Sequence, residues 1–297
     1  TLSYQWKKNG ADIAGQTAQT FTISVVQSSD AAIYTVMVSD TAGGSVTSSD
    51  ASLVVNKLNS SVTVSASPTS PTVVGQSVTF TATVSAVSPA TGTPTGSVAF
   101  KNGTTTLGSV SLAGGQATFA ANNLSVATHS ITVEYGADTT FNSSSTASAL
   151  SHVVNKAGTT TSVSSSSAPS VFGQAIVLTA TVTVNSPGAG TPPGTVTFKD
   201  GSNDLGTPQN LSTSGSATLN IATLGAAGHN ITAVYSGDGK FSTSTSSVHS
   251  QTVNKAGTTT EINSSKATAI FGESVTFTAT VTVVQPGEGV PTGSVTF

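Results

Sequence analysis

The chain has 297 residues and a net charge of −3, and its length is sufficient for two or three domains that each bury a core. Only 7% of its residues are charged and none is arginine, against about 25% charged in an ordinary soluble domain, which argues against nucleic acid as a partner. The absence of cysteine excludes disulfides, and no apolar run approaches the roughly 18 residues that a membrane-spanning helix needs.

Residues 1–56 predict part of a β-domain. Strand-like sequence from Tyr4 runs into Asn9-Gly10, and further strands are predicted near Phe21 and after Asp30. Asn-Gly between two strands favours a type I′ hairpin, because both central residues then need φ > 0.

This first segment resembles the latter half of an immunoglobulin (Ig) domain of the intermediate set, from strand C onward. Trp6 matches the buried tryptophan of strand C in that family, and Asp30 with Tyr34 matches its tyrosine corner. Val36 stands where the family has its second cysteine. The resemblance implies an Ig-like sandwich without the usual disulfide.

A true repeat begins near residue 57. The sequence Val-Asn-Lys recurs with its lysines at 57, 156 and 255, a period of 99 residues, and a fixed period of this kind indicates one module per repeat. We therefore predict four segments: 1–56 as a partial Ig-like domain, 57–156 and 157–255 as two repeats, and 256–297 as a partial repeat with its first strands only.

Each repeat opens a long strand after a Gly-Gln or Gly-Glu pair at 75, 173 or 272. Apolar residues alternate with polar ones in these strands, and a period of two places one face in a core and the other in water. The predicted inward residues are Val78, Phe80, Ala82 and Val84, then Ile176, Leu178, Ala180 and Val182, then Val275, Phe277, Ala279 and Val281.

A short hairpin unit recurs in every repeat. Residues 194–201 read Gly-Thr-Val-Thr-Phe-Lys-Asp-Gly, residues 96–103 are a second copy, and 293–297 begin a third. The alternation predicts strands that run into an Asp-Gly or Asn-Gly turn. With strands at roughly ten-residue spacing and no helical period, we predict an all-β chain of tandem antiparallel sandwiches, with seven strands in each repeat.

Residues 57–297 resemble the group 3 bacterial Ig-like repeats. The matching elements are the Gly-Gln-Ser-Val-Thr-Phe opening, the Gly-Ser-Val-Thr-Phe hairpin and the Tyr-Ser-Gly-Asp-Gly-Lys-Phe stretch at 235–241. Linkers of about three residues at 57–59 and 156–158 predict tight junctions and a rod. The pre-hairpin loops at 88–94, 186–193 and 285–291 vary between repeats, are rich in Pro and Gly, and are predicted to lie at one end of each module.

Asp138 and Asp238 occupy equivalent loops. One acid in each loop is far short of the six to eight oxygens that calcium takes, so we interpret both as carboxylates that bind loop amides while Phe141 and Phe241 fill the core.

The four histidines show no catalytic or metal-binding pattern. His129 and His229 recur before a strand, but the sequence places no second histidine or acid beside them at a useful spacing, and His152 and His249 do not align. We expect no catalytic, cofactor-binding or metal-binding residue, and no enzyme activity.

The repeated Asn-Lys pairs raise the possibility of an isopeptide bond, which would need a buried lysine and a nearby acid. Adjacent residues point opposite ways in a strand, and Glu134 is replaced by Val234 in the next repeat, so we interpret the pairs as solvated linkers. Glycosylation of the Asn-X-Ser/Thr sequons stays open. The pairs are Asn56-Lys57, Asn155-Lys156 and Asn254-Lys255, and the sequons begin at Asn59, Asn102, Asn123, Asn142, Asn210, Asn230 and Asn263.

The two ends each hold half a module, and two readings stand. Either the 297 residues are part of a longer polypeptide, or the last half-module of one chain completes the first of the next by strand complementation in a filament.

The resemblance implies a non-enzymatic stalk, spacer or fibre segment of a bacterial extracellular surface protein, with neighbouring modules as partners in cis. The alternatives are an adhesin-type glycan- or cell-binding module and an accessory domain of a secreted polysaccharide-active enzyme.

Overall fold

The computed structural model describes residues 1–297 and is built almost entirely of β-strands, with one 3-10 turn at Ser28–Asp30 and no α-helix. The chain divides into two compact units. The first comprises Thr1–Thr69, Val78–Ala121 and His129–His152, and the second comprises Ser70–Ser77, Asn122–Thr128 and Val153–Phe297.

Residues 1–56 form one antiparallel sheet in the order β2-β1-β3-β4, with β5 also paired to β3. The predicted type I′ turn is confirmed: Lys8 pairs with Ala11, and Asn9 and Gly10 have φ of +48° and +83°. The strands are β1 (Leu2–Lys8), β2 (Ala11–Asp12), β3 (Ala32–Asp40), β4 (Ser45–Thr47) and β5 (Ala51–Leu53).

The tyrosine corner predicted in this segment is present, because the Tyr34 hydroxyl donates a 2.9 Å hydrogen bond to the Asp30 carbonyl. Trp6 departs from expectation. It is only half-buried, with Phe21 as its aromatic neighbour at 5.9 Å between ring centroids. The layer that would cover the far side of this tryptophan in a complete sandwich is not among residues 1–56.

Residues 57–156 form two sheets, ordered β11-β8-β6 and β10-β9-β12-β14-β7, with β13 paired to β12. Seven strands have six residues or more, as predicted, and two have only two residues. The strands are β6 (Ser60–Ser67), β7 (Thr72–Val73), β8 (Val78–Ala86), β9 (Ser97–Asn102), β10 (Thr105–Ser111), β11 (Gln116–Ala121), β12 (Ala127–Tyr135), β13 (Ser144–Ser145) and β14 (Leu150–Asn155).

Residues 157–255 repeat this topology, with sheets ordered β15-β17-β21 and β16-β24-β22-β18-β19, and with β20 on β18 and β23 on β22. The seventh long strand is missing here: two short strands replace it, because Pro208 between them has no N–H to donate. The strands are β15 (Thr159–Ser165), β16 (Ser170–Val171), β17 (Ile176–Val184), β18 (Thr195–Asp200), β19 (Asn203–Asp204), β20 (Gln209–Asn210), β21 (Ser216–Ile221), β22 (Gly228–Tyr235), β23 (Ser244–Thr245) and β24 (His249–Asn254).

The predicted alternation is confirmed in both complete repeats. Each of the eight inward residues predicted in β8 and β17 is buried, with at most 3% of its surface exposed. In the second repeat the core joins the two sheets, since Leu178 of β17 lies in one cluster with Phe198 of β18 and Tyr235 of β22.

The hairpin turns of the repeats lie one residue later than predicted. Asn102 pairs with Thr105 and Asp200 with Asn203, so the two-residue turns begin at Gly103 and Gly201. These glycines have φ of +56° and +58°, as the first central position of a type II′ turn requires. Asn102 and Asp200 therefore belong to the strands.

Residues 256–297 contain only β25 (Thr258–Ser264) and β26 (Phe277–Val283), which pair with each other. Phe277 has the predicted parity but is 58% exposed. Its expected role as a core residue is corrected here, because no second sheet covers this pair of strands.

Candidate functional site

The loop around Asp138 is organised by the carboxylate of that residue. The side chain accepts hydrogen bonds from the Thr95 amide and hydroxyl, both at 2.8 Å, and from the amides of Thr140 and Phe141 at 2.7 and 2.6 Å. Desolvation raises the pKa of Asp138, but these donors outweigh it and hold the pKa well below its usual range. The carboxylate thus binds loop amides, as predicted.

Asp238 does the same in the second repeat with fewer donors. Its carboxylate accepts from the amides of Lys240 at 2.8 Å and Phe241 at 2.6 Å. Pro193 stands where the first repeat has Thr95, so the amide and the hydroxyl that Thr95 donates have no counterpart in the second repeat. Phe241, like Phe141, is buried, so each loop carries one aromatic ring into the core.

These loops also hold the linkers. The ammonium groups of Lys57 and Lys156, both on exposed residues, donate to the backbone carbonyls of Asp138 and Asp238. In the second repeat the Ala157 amide also donates to the Lys240 carbonyl at 2.9 Å. Lys57 and Lys156 are therefore solvated, as predicted, but each also bonds the Asp loop of the repeat whose first strand follows it.

Glu134, considered above for isopeptide chemistry, instead pairs with Lys101 at 2.6 Å, and its side chain is half-exposed. The sequon asparagine Asn102 uses its side-chain amide to contact His129.

His129 and His229 contact Asn102 and Asp200, which were wrongly predicted to lie in the hairpin turns. His229 Nδ1 lies 2.7 Å from Asp200 Oδ2, and His129 Nδ1 lies 2.9 Å from Asn102 Nδ2. Sequence reasoning missed this pairing because the partners are almost 30 residues apart. One signal was available: each repeat that has this histidine also has an Asn or Asp directly before its hairpin glycine.

The pKa of His229 is raised, first by a hydrogen bond to the Gly225 carbonyl at 2.9 Å and then by the Asp200 carboxylate. Both partners favour the protonated ring. In the first repeat the corresponding partner is the neutral Asn102, so a carboxylate beside the histidine is specific to the second repeat.

The other two histidines are structural. His152 is fully buried beside the Phe80 ring, 5.7 Å away between centroids, and burial followed by the charge of His129 lowers its pKa. Gln251 occupies the same place in the second repeat. His249 is half-buried and lies opposite Ile231. No three His, Asp or Glu side chains of residues 1–297 are grouped so that they could bind a metal ion.

The candidate site that the fold assembles is a junction. The Ala189 amide in the pre-hairpin loop at 186–193 donates a 3.2 Å hydrogen bond to the Val74 carbonyl of the preceding repeat. Gly75 makes this approach possible, because a Cβ atom there would lie 2.5 Å from the Ala189 nitrogen. A cleft of about 440 Å³ beside this contact is lined by residues that include Asn123 and Lys240.

A second junction has the same geometry. The Glu288 amide in the loop at 285–291 donates to the Phe172 carbonyl at 3.1 Å. A Cβ atom on Gly173 would lie 2.7 Å from the Glu288 nitrogen. Two of the three variable loops are therefore engaged with the preceding repeat.

The repeats can be assigned to a family. The sequence profile described as "Bacterial Ig-like domain (group 3)" matches residues 63–155 and 162–254, more than half of the chain. The chain belongs to the bacterial Ig-like (group 3) family. No curated protein matches it by sequence.

Solved structures give weaker likenesses. Three N-terminal domains of the outer capsid protein Hoc of bacteriophage RB49 are 16% identical, with 86% of this chain and 89% of that chain covered and a TM-score of 0.25. A structure from a 1.5-MDa bacterial ice-binding adhesin is 15% identical, with 86% of each chain covered and a TM-score of 0.32. The adhesin InvE of Yersinia pseudotuberculosis is 18% identical, with 62% and 58% covered and a TM-score of 0.29.

The segment 256–297 contains a third copy of the glycine turn. Gly272 has a φ of +93°, close to the values at Gly75 and Gly173, but no atom lies within 4 Å of the position of its Cβ. The turn therefore adopts its conformation without a following loop. No helix in the structure combines the length and apolarity needed to cross a membrane.

Proposed function

We propose that this chain is a non-enzymatic structural spacer, a stalk or fibre segment of a bacterial extracellular surface protein. Its working parts are the modules 1–56, 57–156, 157–255 and 256–297 and the junctions between them. The observation that carries the proposal is that Ala189 and Glu288, in two of the pre-hairpin loops, each bond the preceding repeat.

A spacer needs short, held linkers, because the distance between its ends depends on how little each junction bends. The hydrogen bonds from Lys57 to the Asp138 carbonyl and from Lys156 to the Asp238 carbonyl support this requirement. A binding module needs its variable loops free for a ligand, and two of the three are occupied by a neighbour. The family and the low-charge, Ser/Thr-rich composition support an extracellular location.

A glycan array on the full chain separates a spacer from an adhesin. We expect no binding that free glycan competes away. Reproducible, competable binding that is lost on Asn123→Ala, in the junction cleft, would replace the spacer with a lectin and make the cleft its site.

Small-angle scattering of the full chain tests the mechanical part of the proposal. We expect a maximum dimension that is insensitive to ionic strength. A flexible Gly-Ser insertion after Asn155 is the control, and it should shorten the average particle by allowing bending. A wild-type profile that matches the insertion variant would contradict the spacer. Light scattering over a range of concentration tests the filament alternative.

A further inference from the structure

We infer that the glycine turn of one group 3 repeat and the pre-hairpin loop that follows it form a specific docking pair. The partner of each loop is thus the glycine turn of a second group 3 repeat. This inference rests on the proposed spacer function and deepens it, since it names the contact that would stiffen the junctions.

The turn side of the pair is preformed. The Gln76 side chain accepts from the Val73 amide at 3.2 Å, and the Gln76 amide donates to the Val73 carbonyl at 3.1 Å. The third copy has the same two bonds between Ile270 and Glu273, at 3.2 and 3.1 Å, although no loop contacts it. The turn therefore presents its carbonyl and its glycine before docking, which limits the entropy lost on docking.

Glycine at the turn serves two separate purposes. The φ values of +81° at Gly75 and +83° at Gly173 favour glycine in any context. The absent Cβ in addition leaves room for the loop backbone at these two positions, whereas the space beside Gly272 is open. Close approach to a neighbour is thus a requirement of the junction rather than of the turn.

The loop side carries a matching signature. In the loop of repeat 157–255, a Cβ on Gly188 would lie 2.7 Å from the Cβ of the linker residue Ala157. Gly287 and Ala256 repeat this contact at 2.6 Å. The small linker residue and the loop glycine pack together and place the next amide, that of Ala189 or Glu288, on the turn carbonyl.

The first repeat lacks this signature. It has Ala90 where the others have a loop glycine, and Leu58 where they have the linker alanine. The loop at 88–94 of this repeat makes no backbone hydrogen bond to residues 1–56. The Ala–Gly signature therefore accompanies docking on a group 3 neighbour, which identifies the partner of the loop.

The absence of cysteine makes the docking pair measurable in the full chain. Spin labels on Thr118→Cys and Thr218→Cys, two exposed strand positions in the two complete repeats, report the distribution of distances between those repeats. We expect one narrow distribution in the otherwise wild-type chain. Gly75→Ala should broaden it by blocking the loop backbone, and Ala189→Pro should broaden it by removing the amide donor.

Gly103→Ala is the matched control. Gly103 has a positive φ in the same repeat as Gly75, with open space around it, so alanine strains the repeat without touching the junction. The proposal predicts an unchanged distribution for this variant. It is overturned if Gly75→Ala or Ala189→Pro folds and keeps the narrow distribution, or if Gly103→Ala broadens it equally.

If Gly75→Ala fails to fold, Ala189→Pro decides, because it alters a loop of the other repeat and leaves the glycine turn intact. Failure of the docking pair and failure of the spacer are distinguishable. Competable glycan binding by the wild-type chain contradicts the spacer whatever the distance distribution. A narrow wild-type distribution that Gly75→Ala and Ala189→Pro both keep, without glycan binding, contradicts only the docking pair.

Discussion

Residues 77–84 and 274–281 have the same sequence, Ser-Val-Thr-Phe-Thr-Ala-Thr-Val, in two regions of the molecule. Phe80 in the first copy has none of its surface exposed, and Phe277 in the second has 58% exposed. Both belong to strands with the same register against the preceding strand. The identical octapeptide therefore forms strand in both copies, from Val78 in the first and only from Phe277 in the second, and burial of its apolar face depends on what covers that face.

The neighbours explain the difference. Strand β8 pairs with β6 on one side and β11 on the other, and the second sheet brings His152 against the Phe80 ring. Strand β26 pairs only with β25. Local sequence is sufficient for the alternation of faces, whereas the hydrophobic gain requires strands that are distant in sequence.

The largest expected effect tests the comparison of Phe80 with Phe277 directly. Phe80→Ala should cost about 3–5 kcal/mol of unfolding free energy by leaving a cavity. Phe277→Ala should cost far less, because the exposed ring has little packing to lose. Urea unfolding measures the total loss of unfolding free energy in each variant. Hydrogen-exchange mass spectrometry on peptides from β8 and β26 shows which strand is destabilised. Equal losses at the two positions would show that burial does not distinguish the copies.

A smaller effect compares the two Asp loops. Asp138→Ala leaves the Thr95, Thr140 and Phe141 amides without their acceptor and should cost about 1–3 kcal/mol. Asp238→Ala, which removes the acceptor of two amides, serves as the control and should cost less. The readout is the urea midpoint of each repeat. A larger loss for Asp238→Ala would mean that the number of donors does not set the cost.

The third prediction concerns pH. Because folding raises the pKa of His229, protonation of this ring stabilises repeat 157–255 fully below the unfolded pKa of about 6.5. This contribution is lost as the pH rises through the folded pKa. Asp200→Asn copies the neutral partner of His129 and should reduce the pH dependence without abolishing it, since the Gly225 carbonyl remains.

The measurement for this pH effect is amide exchange of β22 from acid to neutral pH, with His229→Gln as the variant that removes the titration. An unchanged slope in Asp200→Asn would show that the carboxylate contributes nothing to the pKa of His229.

The smallest expected effect lies on the wet face of the same octapeptide. Thr79→Ala and Thr276→Ala, at identical positions in the two copies, should each change stability by no more than about 0.5 kcal/mol. Urea unfolding of both variants beside Phe80→Ala checks the strand parity. A loss at Thr79 that matches the loss at Phe80 would show that the two faces had been assigned the wrong way round.

Much of the fold follows from sequence because the signals are local. Alternation predicted the eight buried positions of β8 and β17, and Asn9-Gly10 predicted a type I′ turn. The turns at Gly103 and Gly201 were mispredicted by one residue, because Asn-Gly and Asp-Gly are compatible with two registers and only the paired strand selects one.

The candidate site was less accessible. Asp138 was predicted to bind its own loop, and it does, since two of its donors lie within three residues of it. The contact of His229 with Asp200 and the contact of Ala189 with Val74 join residues that are distant in the chain, and no local pattern predicts either contact.

The sequence by itself determined the repeat length, the two faces of each long strand and the membership of a β-rich family, because each follows from the order and spacing of residues along the chain. Only the tertiary structure decided which copy of the octapeptide forms a core, which partner each recurring histidine has and where the variable loops lie. Those features arise where strands and loops from distant parts of the chain meet, and there burial and hydrogen bonding depend on the neighbour rather than on the local sequence.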